Sequence, residues 1–213
     1  MKRKLVARIA ALVAFAMVVQ PLAQADELSI RLRRQNSPVW CWAAVSAMLV
    51  SYIQKFDAQD CEILSEYDMR LGGRGMCCAG AAECQRPGIG LEEMGVLLGR
   101  VFGIHGRYDY DPVDWDDLKD EIDAGRPVVA LLAEGGMAAH VVVIAGYRSS
   151  GYLTVLDPAA GRYSEAYRSL VRGASEHGKW AGTLRLTSDP ADDRGCTRRP
   201  DALGRARIVC ENR

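Results

Sequence analysis

The chain has 213 residues, and its 27 basic and 27 acidic side chains leave no formal net charge and no long basic stripe. That balance gives little support to nucleic-acid binding, so no nucleic-acid partner is expected. The length suits one domain, or two lobes that share one site.

Residues 1–25 read as a secretory signal. Lys2, Arg3, Lys4 and Arg8 form a basic start, Ile9–Val19 is an uncharged apolar run of 11 residues, and Ala23-Gln24-Ala25 fits a small-x-small cleavage site. The run is shorter than the roughly 20 apolar residues of a spanning helix, although an uncleaved N-terminal anchor is the alternative. No other stretch is long and apolar enough to cross a bilayer, so no stable membrane association is expected after cleavage. Cleavage after Ala25 leaves 188 residues, and the loss of four basic residues from 27, against 27 acidic ones, leaves a charge of −4. A secreted or periplasmic location follows as the expectation.

The segment Gln35–Ile53, QNSPVWCWAAVSAMLVSYI, is apolar on nearly every side of a helical wheel. That pattern predicts a buried helix. Ser37 and Pro38 suit its start, which puts Cys41 in or near the first turn. There the unpaired N–H groups and partial positive charge of a helix end favour a thiolate. Gln35 lies six residues before Cys41. Its side-chain N–H and the Cys41 backbone N–H can together hold an oxyanion. A small buried hydrophobe is the competing role for Cys41. Trp40 and Trp42 can line a cleft, but packing is their more ordinary use.

Seven cysteines fit an oxidising compartment: Cys41, Cys61, Cys77, Cys78, Cys84, Cys196 and Cys210. An odd number suggests three bridges and one free thiol, and Cys41, isolated on its apolar helix, is the natural free one. Cys196 and Cys210 stand alone in the tail and are expected to pair. Among the other four, a 77–78 bridge would be strained, which leaves two pairings open. Zinc is the rival reading, but the CC-x5-C spacing lacks the two separated halves of a zinc site.

Residues 58–71 read as a helix with Asp60 as its cap, and residues 71–90 as a bridged, glycine-rich loop. Two more helices follow, at about Leu91–Val101 and from Asp114 to a stop at Gly125. After Pro127 come short β-branched or aromatic runs: VVALLAE, HVVVIAGYR, YLTVLD, RYSEAY and WAGTLRL. Helices first and strands later predict an α+β chain.

Three histidines can serve as a base. His105 lies in a turn or strand start and His177 in a polar loop, whereas His140 opens a buried strand after the flexible EGGMAA segment. Asp157 ends the next strand. The turn Ser149-Ser150-Gly151 joins the two strands, so the start of one and the end of the other can meet. Asp-Pro is also a plain strand terminator.

Taken together, Gln-x5-Cys-Trp, the His-x-Val-x-Ile-x-Gly-Tyr strand and Leu-Asp-Pro resemble the papain-like cysteine peptidases over residues 33–187. The nearest likeness is to short bacterial secreted and effector enzymes, and a double-glycine leader peptidase is a further relative. The papain segment C-G-[SA]-C-[WY] is absent. The resemblance implies a two-lobed papain-like fold, with a helical lobe at about 26–104 carrying the cysteine and an antiparallel sheet lobe at about 105–187 carrying the histidine. Residues 188–213 form a separate tail, either a clip or a cover for the cleft. The resemblance implies a catalytic set of Cys41, His140, Asp157 and Gln35, with Asp157 where papain has asparagine. It also implies a monomer acting on a peptide or protein with no cofactor. A glutamine deamidase or acyl transferase, or a non-catalytic binding protein of the same fold, are the alternatives.

Overall fold

The computed structural model describes residues 27–80, 84, 86–135, 138–187 and 196–210. The signal segment and the middle of EGGMAA lie outside them. Helix α1 spans Cys41–Ile53, and every residue from Trp42 to Val50 is fully buried. A turn delivers the chain to it, with Trp40 N–H donating to Ser37 O at 3.0 Å. The helix therefore begins at Cys41 itself, one turn later than Ser37-Pro38 suggests. α1 packs against helix α2 (Asp60–Arg70), helix α3 (Leu91–Phe102) and the sheet.

The cap of α2 is Gln59, not Asp60. Gln59 has extended backbone angles, and its N–H donates to Glu62 Oε2 at 2.9 Å, one arm of a capping box. Asp60 is the first helical residue, and its carboxylate accepts from the backbone N–H (3.0 Å) and side-chain Nδ2 (2.8 Å) of Asn36. It ties the segment before α1 to the helical lobe. The Gly/Cys loop carries bridges Cys61–Cys78 and Cys77–Cys84, and Cys196–Cys210 closes the tail. Of the two open pairings, the observed one crosses the adjacent cysteines to opposite partners. Asp68, Cys77 and Cys84 converge, but both sulfurs are bonded to each other and cannot act as thiolate ligands.

Six antiparallel strands form one sheet in the order β1-β6-β2-β3-β4-β5. They are β1 Gly106–Asp109, β2 Val128–Gly135, β3 Ala138–Arg148, β4 Tyr152–Asp157, β5 Gly161–Ala166 and β6 Lys179–Leu186. Between them lie α4 (Trp115–Asp123) and α5 (Tyr167–Arg172). The β3–β4 ladder runs from Arg148–Tyr152 to Val143–Leu156. His140 and Asp157 thus sit just past the same end of the ladder. The architecture is α+β, with helices first and an antiparallel sheet after them. Among the described residues no helix is long and apolar enough to cross a membrane.

Two features lie outside the sequence expectation. α5 takes over from the RYSEAY strand at Tyr167 and ends at Gly173 in the left-handed region (φ 72°). It is too short to show helical periodicity. The tail forms a hairpin of β7 (Thr197–Pro200) and β8 (Ala206–Val209), and it packs on α2 and α3. Glu66, 1% exposed, accepts from Arg207 Nη2 at 2.7 Å and from Ile208 N–H at 3.0 Å. The described tail residues act as a clip on the helical lobe, and none of them lines the cleft.

Removing one partner strands a buried carboxylate, which costs more than the pair contributes. Arg207→Ala should therefore destabilise the protein by roughly 2 kcal/mol. In thermal unfolding by circular dichroism, that is a fall in Tm of about 4–8 °C. Adding Glu66→Gln should recover part of the loss, because the buried charge is then gone.

Candidate active site

The N-terminus of α1 points Cys41 toward the end of the β3–β4 ladder. Cys41 is 7% exposed and is the free cysteine beside three bridges. No side chain caps α1. The first N–H groups of a helix lack intrahelical partners, so the Cys41 amide stays available to a ligand. His140 meets Cys41 with one edge of its ring, within hydrogen-bonding reach of the sulfur. With the other edge, Nε2, it meets Asp157 Oδ1 at 2.8 Å. That leaves Nδ1 for the thiol.

Asp157 is buried, and Oδ1 also accepts the backbone N–H of Ala159 (2.6 Å) and Ala160 (2.9 Å). The Asp-Pro turn therefore does two jobs: it ends β4 and it orients the carboxylate. Burial alone would raise the Asp157 pKa, but the His140 bond and the Ala160 and Ala159 amides hold it below 3.8. Burial alone would lower that of His140, yet the bonds to Asp157 and Cys41 outweigh it and lift the ring from 6.5 to about 10. That shift favours the imidazolium form of His140 at neutral pH.

Gln35 stands on the other side of His140. Its backbone N–H donates to Pro158 O at 3.1 Å, and its Nε2 donates to Ser37 O at 2.8 Å. An amide nitrogen carries two hydrogens, so one remains. Gln35 and His140 line a common cavity of about 570 Å³. A second cavity, of about 670 Å³, opens past His140 and Asp157 and is walled by the 173–179 loop. Of the four candidate residues, Cys41, His140 and Asp157 meet directly, and Gln35 shares a cavity with His140. His105 does not join them, because it lies beside Gly99 near the β1 edge. His177 stacks on Tyr163 at 4.0 Å and walls the second cavity without bonding to His140. Trp40 and Trp42 are core residues, 3% and 0% exposed, and Trp42 packs edge-on against Tyr67 at 5.2 Å.

The sequence reading missed the supporting turn. Pro158, Ala159 and Ala160 bind Asp157 and the Gln35 segment through backbone groups. Backbone groups leave no side-chain signature, and the one hint was the run of small residues in DPAAG.

Residues 19–187 match the model of the Peptidase_C39 like family. The chain belongs to that family. Its membership supports a cysteine peptidase. Among solved structures, the chain is similar to the peptidase domain of Streptococcus ComA, a bi-functional ABC transporter involved in a quorum-sensing pathway. The identity is 15%, the match covers 74% of this chain and 97% of that one, and the TM-score is 0.51. It is also similar to a double glycine motif protease from an AMS/PCAT transporter, solved in complex with a leader peptide. There the identity is 16%, the coverage 75% and 92%, and the TM-score 0.49. No curated protein matches the chain. The ComA likeness shows that the chain shares the fold of that peptidase domain.

The ionised pair has a pH signature. The raised pKa of His140 adds stability that is complete below pH 6.5 and fades as pH rises through about 10. The lowered pKa of Asp157 adds stability that is complete above pH 3.8 and is lost as pH falls below it. In an NMR titration the His140 ring should change near pH 10, and Asp157→Asn should move the midpoint back toward 6.5. A wild-type midpoint near 6.5 would mean that the pair is not ionised.

Proposed function

We propose that this C39-like protein is an exported cysteine peptidase that cleaves peptide bonds with a Cys41-His140-Asp157 triad. The observation that carries the reading is His140, held between a free thiol and a buried, hydrogen-bonded carboxylate. Asp157 orients the ring that faces the sulfur and stabilises its imidazolium. Cys41 attacks the amide carbonyl. The Cys41 N–H and the remaining Gln35 N–H take up the charge on oxygen. Nδ1 of His140 then protonates the leaving amine, and a thioester forms between Cys41 and the acyl group. Water, deprotonated by His140, hydrolyses that thioester and restores the thiol. The signal-like start and three disulfides support export to an oxidising compartment. That would set the chain among short secreted enzymes.

The test is a peptide-library digest together with labelling by a thiol-reactive peptidyl inhibitor and mass spectrometry of the adduct. Labelling on Cys41 with cleavage of internal peptide bonds supports the reading. Release of ammonia from glutamine side chains without chain cleavage would point to a deamidase.

Gln35→Ala should lower kcat about 100-fold, because one oxyanion donor is worth roughly 3 kcal/mol. KM should change much less. Alkylation of Cys41 by a small reagent passes through no oxyanion and should proceed at its wild-type rate. Cys41→Ala should abolish both. Equal losses of turnover and alkylation in Gln35→Ala would instead show that Gln35 only holds the loop before α1.

A further inference from the structure

Three arginines precede Gln35 and are used differently. Arg33 pairs with Asp57 and donates to Gln59 Oε1 at 3.3 Å, and Arg31 lies 3.8 Å from the same Asp57. Arg34 faces the opposite way, toward the β4–β5 turn. There it donates through Nη1 to the carbonyl of Ala159. Its Nη2 lies over Gly161, where an added Cβ would come within 2.7 Å. The bare glycine, with φ 103°, is what lets the guanidinium lie against the turn. Among the described residues Arg34 has no carboxylate partner.

Arg34 lines the same cavity of about 570 Å³ as Gln35, Ser37, Pro38 and His140. Among the described residues no acidic side chain lines that cavity, and Asn36, which also lines it, gives its side-chain N–H to Asp60. Among the described residues, no carboxylate of the cavity wall offsets the Arg34 charge. A guanidinium has five donors in a planar fork, which suits a carboxylate in two-point contact. One of the five goes to Ala159 O.

We propose that Arg34 is a specificity residue that binds a substrate carboxylate close to the scissile bond, so that the enzyme selects peptides acidic at that position. The inference rests on the peptidase reading and names its substrate class. Two sources of a carboxylate fit, an Asp or Glu side chain and a free C-terminus. The anchor on Ala159 holds the fork beside the catalytic groups before substrate arrives, which limits the ordering cost of binding.

The test takes a cleaved library peptide and varies each of the three positions on either side of the bond among Glu, Gln and Lys. A matched pair ends in carboxylate or amide. At one position the wild type should favour Glu over Gln by about tenfold in kcat/KM, mainly through KM. Arg34→Gln should level that preference, and Arg34→Glu should turn it toward Lys. A preference confined to the carboxylate-ended peptide assigns the site to a chain terminus. A uniform loss on all peptides overturns the proposal, because it would show Arg34 merely bracing the turn. Binding of the same set to Cys41→Ala separates this proposal from the activity itself. If the wild type cleaves nothing, the peptidase reading fails, and equal affinity of Cys41→Ala for Glu and Lys peptides rejects Arg34 on its own evidence.

Discussion

The site depends on one carboxylate oxygen. Asp157 Oδ1 receives the His140 ring and two backbone amides at 2.6–2.9 Å. Each bond favours the ionised acid, and together they offset the cost of burying it. A charged acid there keeps His140 charged, and a charged His140 faces the sulfur. The order of cause runs outward from the turn: small residues after Asp157 let the chain fold back, their amides fix the oxygen, and the oxygen fixes the ring.

The same turn also holds the lobes in register. Pro158 O takes the Gln35 N–H, and Ala159 O takes the Arg34 guanidinium. From the same segment, Arg33 and Asn36 bond to Asp57, Gln59 and Asp60 of the helical lobe. Arg33 and Asn36 of this short segment thus fasten to the helical lobe, and Arg34 and Gln35 between them fasten to the turn after β4. Cys41 follows that segment by one turn. The distance from nucleophile to base is therefore set by bonds on both sides of the segment as well as by packing of α1 on β3.

Much of this was legible in the chain. An all-apolar helix with cysteine at its head is a strong pattern, because burial on every face admits few other readings. The strand runs were as clear, and they placed His140 and Asp157 at one end of a ladder. The Gln59 cap was hidden because an aspartate beside it matches the commoner cap preference. The crossed bridging of Cys77 and Cys78 was open because composition does not encode which way adjacent side chains turn. The tail hairpin was missed because its four-residue strands are rich in arginine. Those arginines serve acids more than a hundred residues away, which no local pattern records.

That last separation has a consequence for how the molecule comes into being. Arg207 is made 141 residues after Glu66, and Arg198 is made 136 after Glu62. While the chain is still emerging, α2 holds two acids whose counter-ions do not yet exist. A helical lobe formed at that stage would have to bury Glu66 uncompensated or keep α2 loosely docked. The nascent protein is thereby biased against settling before residue 207 has been added. Arg198 and Arg207 thus act as a latch on α2 that closes late in synthesis.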